Sequence, residues 1–248
     1  MNLKFKNKIV FLTGAGKGIG RQILELLIKE NVIVYAVTRN SKDLKDIKTN
    51  KNTHLFFGDI TNQNLINRIF SKSKKNKHNF NCLINNAGIR QRKKFSKIKE
   101  KDLMDVFKNN FFSIFKISQL FSAQFKFKKD MGSIINISSI VGNLGFNELS
   151  GYASAKAALD GLTKSLSAEF SDKKIRVNSI APGFIKSSYF EKFKRNKPKL
   201  YKWTLSRIPL NKWGENLDVA HLTLFLLSEN SKYINGQVIK IDGGWTAV

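Results

Sequence analysis

Three residues in the middle of the chain have the types and spacing to move a proton: Ser139, Tyr152 and Lys156. Tyr152 and Lys156 lie four positions apart, so on a helix they share one face. A phenol with a pKa near ~10 is a poor proton shuttle at neutral pH, and a neighbouring ammonium favours its phenolate. The spacing therefore predicts that Lys156 tunes Tyr152 as a general acid–base group. Ser139 follows an apolar run and is placed to hydrogen-bond the oxygen that receives the proton. A Tyr-x-x-x-Lys pair alone is common on protein surfaces. The serine-ended strand before it and a glycine-rich loop near the N-terminus make this one specific.

That loop reads Thr13-Gly14-Ala15-Gly16-Lys17-Gly18-Ile19-Gly20. It follows an apolar run and opens a helical pattern. Glycines there let the backbone turn tightly against a pyrophosphate, whose charge meets the helix N-terminus. The expected ligand is a dinucleotide. After the second apolar run, an acidic residue would bind the adenosine ribose hydroxyls. The chain has Thr38-Arg39-Asn40 instead. Arg39, helped by Lys17, suits a 2′-phosphate, so NADP(H) is expected in preference to NAD(H). Asp59, with Ile60 beside it, ends the third run, and Asn85-Asn86-Ala87-Gly88 ends the fourth. Both belong at a cleft along the carboxyl ends of parallel strands.

The elements that position these residues alternate from end to end. Apolar runs at Ile9–Thr13, Val32–Val37, His54–Phe57, Cys82–Asn85, Ser133–Ser138, Arg176–Ile180 and Val238–Ile241 read as strands covered on both faces. Helical patterns lie between them at Ile19–Lys29, Asn62–Ser73, Lys101–Phe127, Ala153–Phe170 and Leu217–Leu227. This predicts an α/β fold, a doubly wound parallel sheet of about seven strands with helices on both faces. With no linker or repeat, residues 1–248 read as a single domain. The stretch Phe111–Phe121 is apolar around most of its circumference, and Leu159, Leu162 and Leu166 repeat at helical spacing. Both are expected to meet another subunit. Lys186–Gly214 is long, aromatic and basic, with no obvious strand, and reads as a mobile lid over the substrate.

The chain of 248 residues carries 44 basic and 18 acidic residues, a formal charge of +26. Lysines are spread through every segment, so the charge reads as a solvated surface that favours anionic ligands. No nucleic-acid module is recognisable. One cysteine, Cys82, excludes an intrachain disulfide. No export signal or membrane span is apparent, and a cytoplasmic protein is expected. No metal site is expected.

In order and spacing, the glycine loop, Asn85-Asn86-Ala87-Gly88, Ser139 and Tyr152/Lys156 resemble the short-chain dehydrogenase/reductase family over essentially the whole chain. The resemblance implies a Rossmann fold and hydride exchange between NAD(P)(H) and a carbonyl/alcohol pair. It implies that Asn110 completes a tetrad with Ser139, Tyr152 and Lys156, supporting a helix kink and a water. It implies that Asp59 meets adenine. Tyr152 and Lys156 would also hold the nicotinamide ribose. Pro182-Gly183 would form a nicotinamide loop, with the Ile185 backbone on the carboxamide and Ser187 on a phosphate, and the assembly would be a homotetramer. Three stretches resemble the gluconate 5-dehydrogenase and deoxygluconate dehydrogenase branch: 86–92, 205–210 and 242–247. That points to a sugar acid, with Arg90 and Arg92 placed for its carboxylate. The alternative is a 3-oxoacyl-carrier-protein reductase, with Lys126, Lys128 and Lys129 toward an acidic carrier.

Overall fold

A computed structural model describes residues 5, 7–125, 131–187 and 190–248. Seven strands make one parallel sheet: β1 (Ile9–Thr13), β2 (Ile33–Thr38), β3 (Thr53–Phe57), β4 (Cys82–Asn85), β5 (Gly132–Ile137), β6 (Ile175–Pro182) and β7 (Val238–Ile241). Their order is β3-β2-β1-β4-β5-β6-β7. The expected runs recur here, three with the same bounds and four with ends shifted by at most two residues.

Alternate residues on each strand serve opposite layers, which is why the runs lack a polar face. Val10 and Leu12 pack with Ile23, Leu24 and Leu27 of α1 (Gly18–Lys29) and with Val219, Ala220 and Leu224 of α8 (Asn216–Leu227). Phe11, between them, points the other way. It stacks on Phe80 at 5.5 Å and meets Phe70 of α2 (Gln63–Lys75) edge-on at 5.6 Å. Each such buried side chain stabilises the fold by roughly 1.5–3 kcal/mol. The chain winds outward from β1 to β3, then jumps back to β4 on the other side. The carboxyl ends of β1 and β4 thus flank the crevice where ligands bind in such sheets.

The helical pattern over Lys101–Phe127 is interrupted at Asn110, where the family resemblance implied a kink. It consists of α3 (Glu100–Phe107), a π-helical turn at Lys108–Phe112 and α4 (Ser113–Gln124). The cause is Asn110, fully buried in that turn. Its amide donates to the Val106 and Ile89 carbonyls, each at 2.9 Å, and accepts from the Ile89 N–H at 3.2 Å. A side chain inserted into the helical ladder widens the turn. Lys126 and Phe127 lie outside the described residues.

Ile114, Ile117 and Phe121 of α4 face the sheet, while Phe112 and Phe115 stay half exposed beside Leu103 and Met104. The surplus apolar face expected of this region is present. Leu159, Leu162 and Leu166 are a different matter. They belong to α5 (Ser150–Glu169), where Leu159 is buried and Leu162 and Leu166 join the core, so they do not extend that face. The segment after β6, read from sequence as a strandless lid, carries two helices that its pattern did not announce. It folds into α6 (Phe190–Asn196) and α7 (Pro198–Arg207), and Ile185 pairs with Gly214 as an isolated parallel bridge.

Candidate active site

One cleft of about 660 Å³ opens at the carboxyl ends of the strands. Of the residues nominated for chemistry or cofactor binding, all but one line it. Gly20 is the exception. It is buried on α1, where an added Cβ would sit 2.1 Å from the Gly14 carbonyl oxygen. The absence of a side chain there lets α1 pack closely against the glycine loop.

The residues expected to handle the proton come together from β5, the turn after it and α5. Ser139 leaves β5 in extended backbone, and its Oγ accepts from the Val141 N–H at 3.4 Å. Ser139 also acts on Tyr152, pulling its pKa down. Lys156, one turn along α5, is 3 % exposed, donates to the Ile137 carbonyl at 2.7 Å and lies 5.7 Å from the Tyr152 ring centroid. Gly88 keeps a path open between Asn110 and Lys156. A Cβ there would meet Asn110 Oδ1 at 2.4 Å and Lys156 Nζ at 3.8 Å.

The electrostatics differ from the sequence expectation. Burial is the largest influence on Tyr152 and raises its pKa. The opposing influences are the Arg90 guanidinium and the Ser139 hydroxyl. Burial also lowers Lys156 to about 8, against the pull of Asp160. An ammonium that is itself hard to keep charged, and committed to a carbonyl, is a weak stabiliser of phenolate in this state. Arg90 and Ser139 pull toward phenolate, against the larger effect of burial. Arg90 lines the cleft, with its pKa lowered by burial. Asp160 was not singled out in the sequence, although it continues the four-residue spacing from Tyr152 and Lys156. It accepts from Ser179 at 2.9 Å, and burial raises its pKa.

At the other end, the loop and the β4 turn are tied together. Thr13 Oγ1 accepts from the N–H groups of Asn86 and Ala87, both at 3.1 Å, and Asn86 donates to the Gly14 carbonyl at 2.9 Å. An added Cβ on Gly14 would lie 2.7 Å from Ala87 Cα. The N-terminus of α1 has no side-chain cap and no acidic residue in its first turn. Its free N–H groups therefore suit an anionic ligand such as a pyrophosphate. Arg39, Asp59 and Ile60 line the cleft beyond it. Asp59 accepts from the Thr61 N–H at 2.8 Å, while Asn62 caps α2. Lys17 is held in an ion pair with Asp43 at 3.2 Å. Pro182, Gly183, Ile185 and Ser187 complete the wall next to Tyr152. These residues fit a dinucleotide spanning the cleft.

The rest of the lining is mostly apolar. Val141, Phe146, Leu149, Phe184, Phe190, Phe193, Leu200 and Trp213 form it, with Arg90 and Arg92 alongside. Trp213 organises this part: its indole N–H donates to Thr204 at 2.9 Å, and its rings lie 5.1 Å from both Phe184 and Phe190. Trp203 of the expected lid is instead half exposed, against Phe146 and Trp245. Sequence reading missed Phe146, Leu149 and Trp213, whose apolar character looks like ordinary core. Lys126, Lys128, Lys129 and Tyr189 lie outside the described residues.

Residues 14–246 match the family model described as enoyl-(acyl carrier protein) reductase. The chain is 33% identical over 247 residues to the 3-oxoacyl-acyl-carrier-protein reductase FabG of Thermotoga maritima, covering 98% of this chain and 99% of the relative. A 4-hydroxyisoleucine dehydrogenase complexed with NADH superposes with TM-score 0.91 at 32% identity, covering 97% of this chain and 99% of the other. An NADPH-dependent reductase involved in bacilysin biosynthesis superposes with TM-score 0.88 at 25% identity, covering 96% and 98%.

Proposed function

The chain belongs to the short-chain dehydrogenase/reductase family, and from that premise we propose that it is an NADP(H)-preferring reductase of 3-oxoacyl chains carried as thioesters. The observation that carries the substrate reading is the apolar wall beside Tyr152, built by Phe146, Leu149, Phe190, Phe193 and Trp213. An acyl chain buries its methylenes there at about 0.8 kcal/mol each. A polyhydroxylated sugar acid would leave its hydroxyls facing carbon, at a cost for each unpaired group. The name carried by the Thermotoga maritima relative supports the same class.

The nicotinamide cofactor, when bound, supplies the hydride for the carbonyl carbon. The protein handles the oxygen. Ser139 donates a hydrogen bond to the substrate oxygen, and the Tyr152 hydroxyl gives it the proton that completes the alcohol. Arg90 offsets the negative charge left on the Tyr152 oxygen. Asn110, locked in the π turn, orients the path toward Lys156. Lys156 would meet the nicotinamide ribose, and Arg39 would hold the adenosine 2′-phosphate. We assign a homo-oligomer, with the Phe112–Phe115 face as its contact.

A second reading rests on Arg90 and Arg92, which line the cleft and could hold a carboxylate. That favours a sugar acid. NADPH oxidation with an acetoacetyl thioester and with 5-ketogluconate separates the two. The expected outcome is a higher kcat/KM for the thioester. Turnover of the ketogluconate alone overturns the acyl reading and leaves the reaction class standing.

A further inference from the structure

The adenosine end of the cleft holds a carboxylate that the end of β2 lacks. Asp43 comes five residues after Thr38, in a short 3-10 turn spanning Ser41–Leu44. Its side chain is 16% exposed and lines the cleft with Lys17, Thr38 and Arg39. A Cβ on Gly16 would lie 2.4 Å from Thr38 Oγ1 and 3.1 Å from Asp43 Oδ2, so the carboxylate is packed against the glycine loop. The turn is fixed from behind, where Arg21 donates to the Asp43 carbonyl at 2.7 Å. Asn40 accepts from the Lys42 N–H at 3.0 Å. Lys17, the second cation expected to read a 2′-phosphate, pairs with Asp43 at 3.2 Å. Arg39 has no ion pair among the described residues.

We propose that Asp43 is a cofactor-selecting residue: it occupies Lys17 and puts a negative charge beside the adenosine ribose, restraining the preference for a 2′-phosphate. This rests on the reading that adenosine binds at this end. A carboxylate accepts hydrogen bonds from ribose hydroxyls and repels a phosphate, so it acts in opposite directions on the two cofactors. Arg39 alone then carries the attraction for the phosphate. The protein accepts both cofactors, with a modest bias toward NADP(H).

The test is calorimetric binding of adenosine 2′,5′-bisphosphate and of 5′-AMP, which isolate this end of the cleft. Asp43→Asn is nearly isosteric. It should tighten the bisphosphate about 5- to 10-fold, the scale of one charge-assisted contact, and leave 5′-AMP unchanged or weaker. Asp43→Glu keeps the charge and should keep the wild-type ratio. In a cycle with Lys17→Met, the loss of bisphosphate affinity should be at least ~3-fold larger in the Asp43→Asn background, because Lys17 has been released there. The NADPH/NADH ratio of kcat/KM should rise in step with the bisphosphate affinity. An unchanged binding ratio in Asp43→Asn, or an equal Lys17→Met loss in both backgrounds, overturns the role of Asp43. Failure of both ligands to bind the wild-type protein overturns the placement of adenosine itself.

Discussion

Lys156 is buried and charged, and this has a measurable consequence for stability. Its ammonium donates to the Ile137 carbonyl, and burial lowers its pKa from 10.5 to about 8, opposed by Asp160. In the unfolded chain the same group keeps its proton up to about 10.4. Between those two values the unfolded state binds more protons than the folded state. Folding stability must therefore rise with pH through that window, and the cost of the buried charge is fully present below it. The whole shift corresponds to about 3 kcal/mol, of which about 2 are regained by about pH 10. Lys156→Met keeps the length of the side chain and removes the charge. It also leaves the Ile137 carbonyl without this donor, which costs about 1–3 kcal/mol. Near pH 7 relief and loss nearly balance, and wild type and variant should unfold at similar urea concentrations. Toward pH 10 the wild type should pull ahead by about 2 kcal/mol. The other lysines titrate in both proteins, so the difference between the two curves isolates Lys156. Urea unfolding without cofactor at a series of pH values provides it. Parallel curves would refute the reasoning, because the slope of the difference depends only on the shifted proton.

Four other outcomes are expected. Tyr152→Phe should lower kcat by about 10²–10⁴-fold while NADPH binding, measured by fluorescence, stays near wild type; retention of a tenth of the rate would sink general-acid catalysis by this phenol. Arg39→Asp should move the kcat/KM ratio toward NADH by about tenfold or more, since it replaces a charge-assisted contact with a repulsion. Phe115→Glu, on the exposed side of α4, should lower the mass seen by light scattering at micromolar concentration, and a wild-type monomer under the same conditions would remove the assembly altogether. Hydrogen exchange in α6 and α7 should slow when NADP and substrate are both present, and equal exchange in both states would make this segment a fixed wall rather than a lid.

The order of strands and helices was readable from the chain because it depends on local chemistry. Runs such as Ile9–Thr13 and Cys82–Asn85 are apolar on both faces and, at this length before glycine or asparagine turns, fit strands covered on both sides. Tyr152 and Lys156 shared a face through helical spacing alone, and the glycine loop declared its turn through residues that need no partner to be recognised. The break in the long helix came only from the family resemblance, not from its local pattern. Nothing in its periodicity reveals that the Asn110 amide meets the Ile89 backbone, 21 positions away, and opens a π turn. The motif does not reveal that Gly20 sits directly against the Gly14 carbonyl, away from the cleft lining. Burial holds the Tyr152 hydroxyl above its ordinary pKa, and Arg90, brought from beyond the end of β4, pulls the other way. Likewise, Asp43 and Lys17 meet only when the turn after β2 folds against the glycine loop. Spacing specifies what shares a helix face or ends a strand. Burial, and therefore the energy of a charge, depends on which distant segments exclude water from it, and only the tertiary structure decides that.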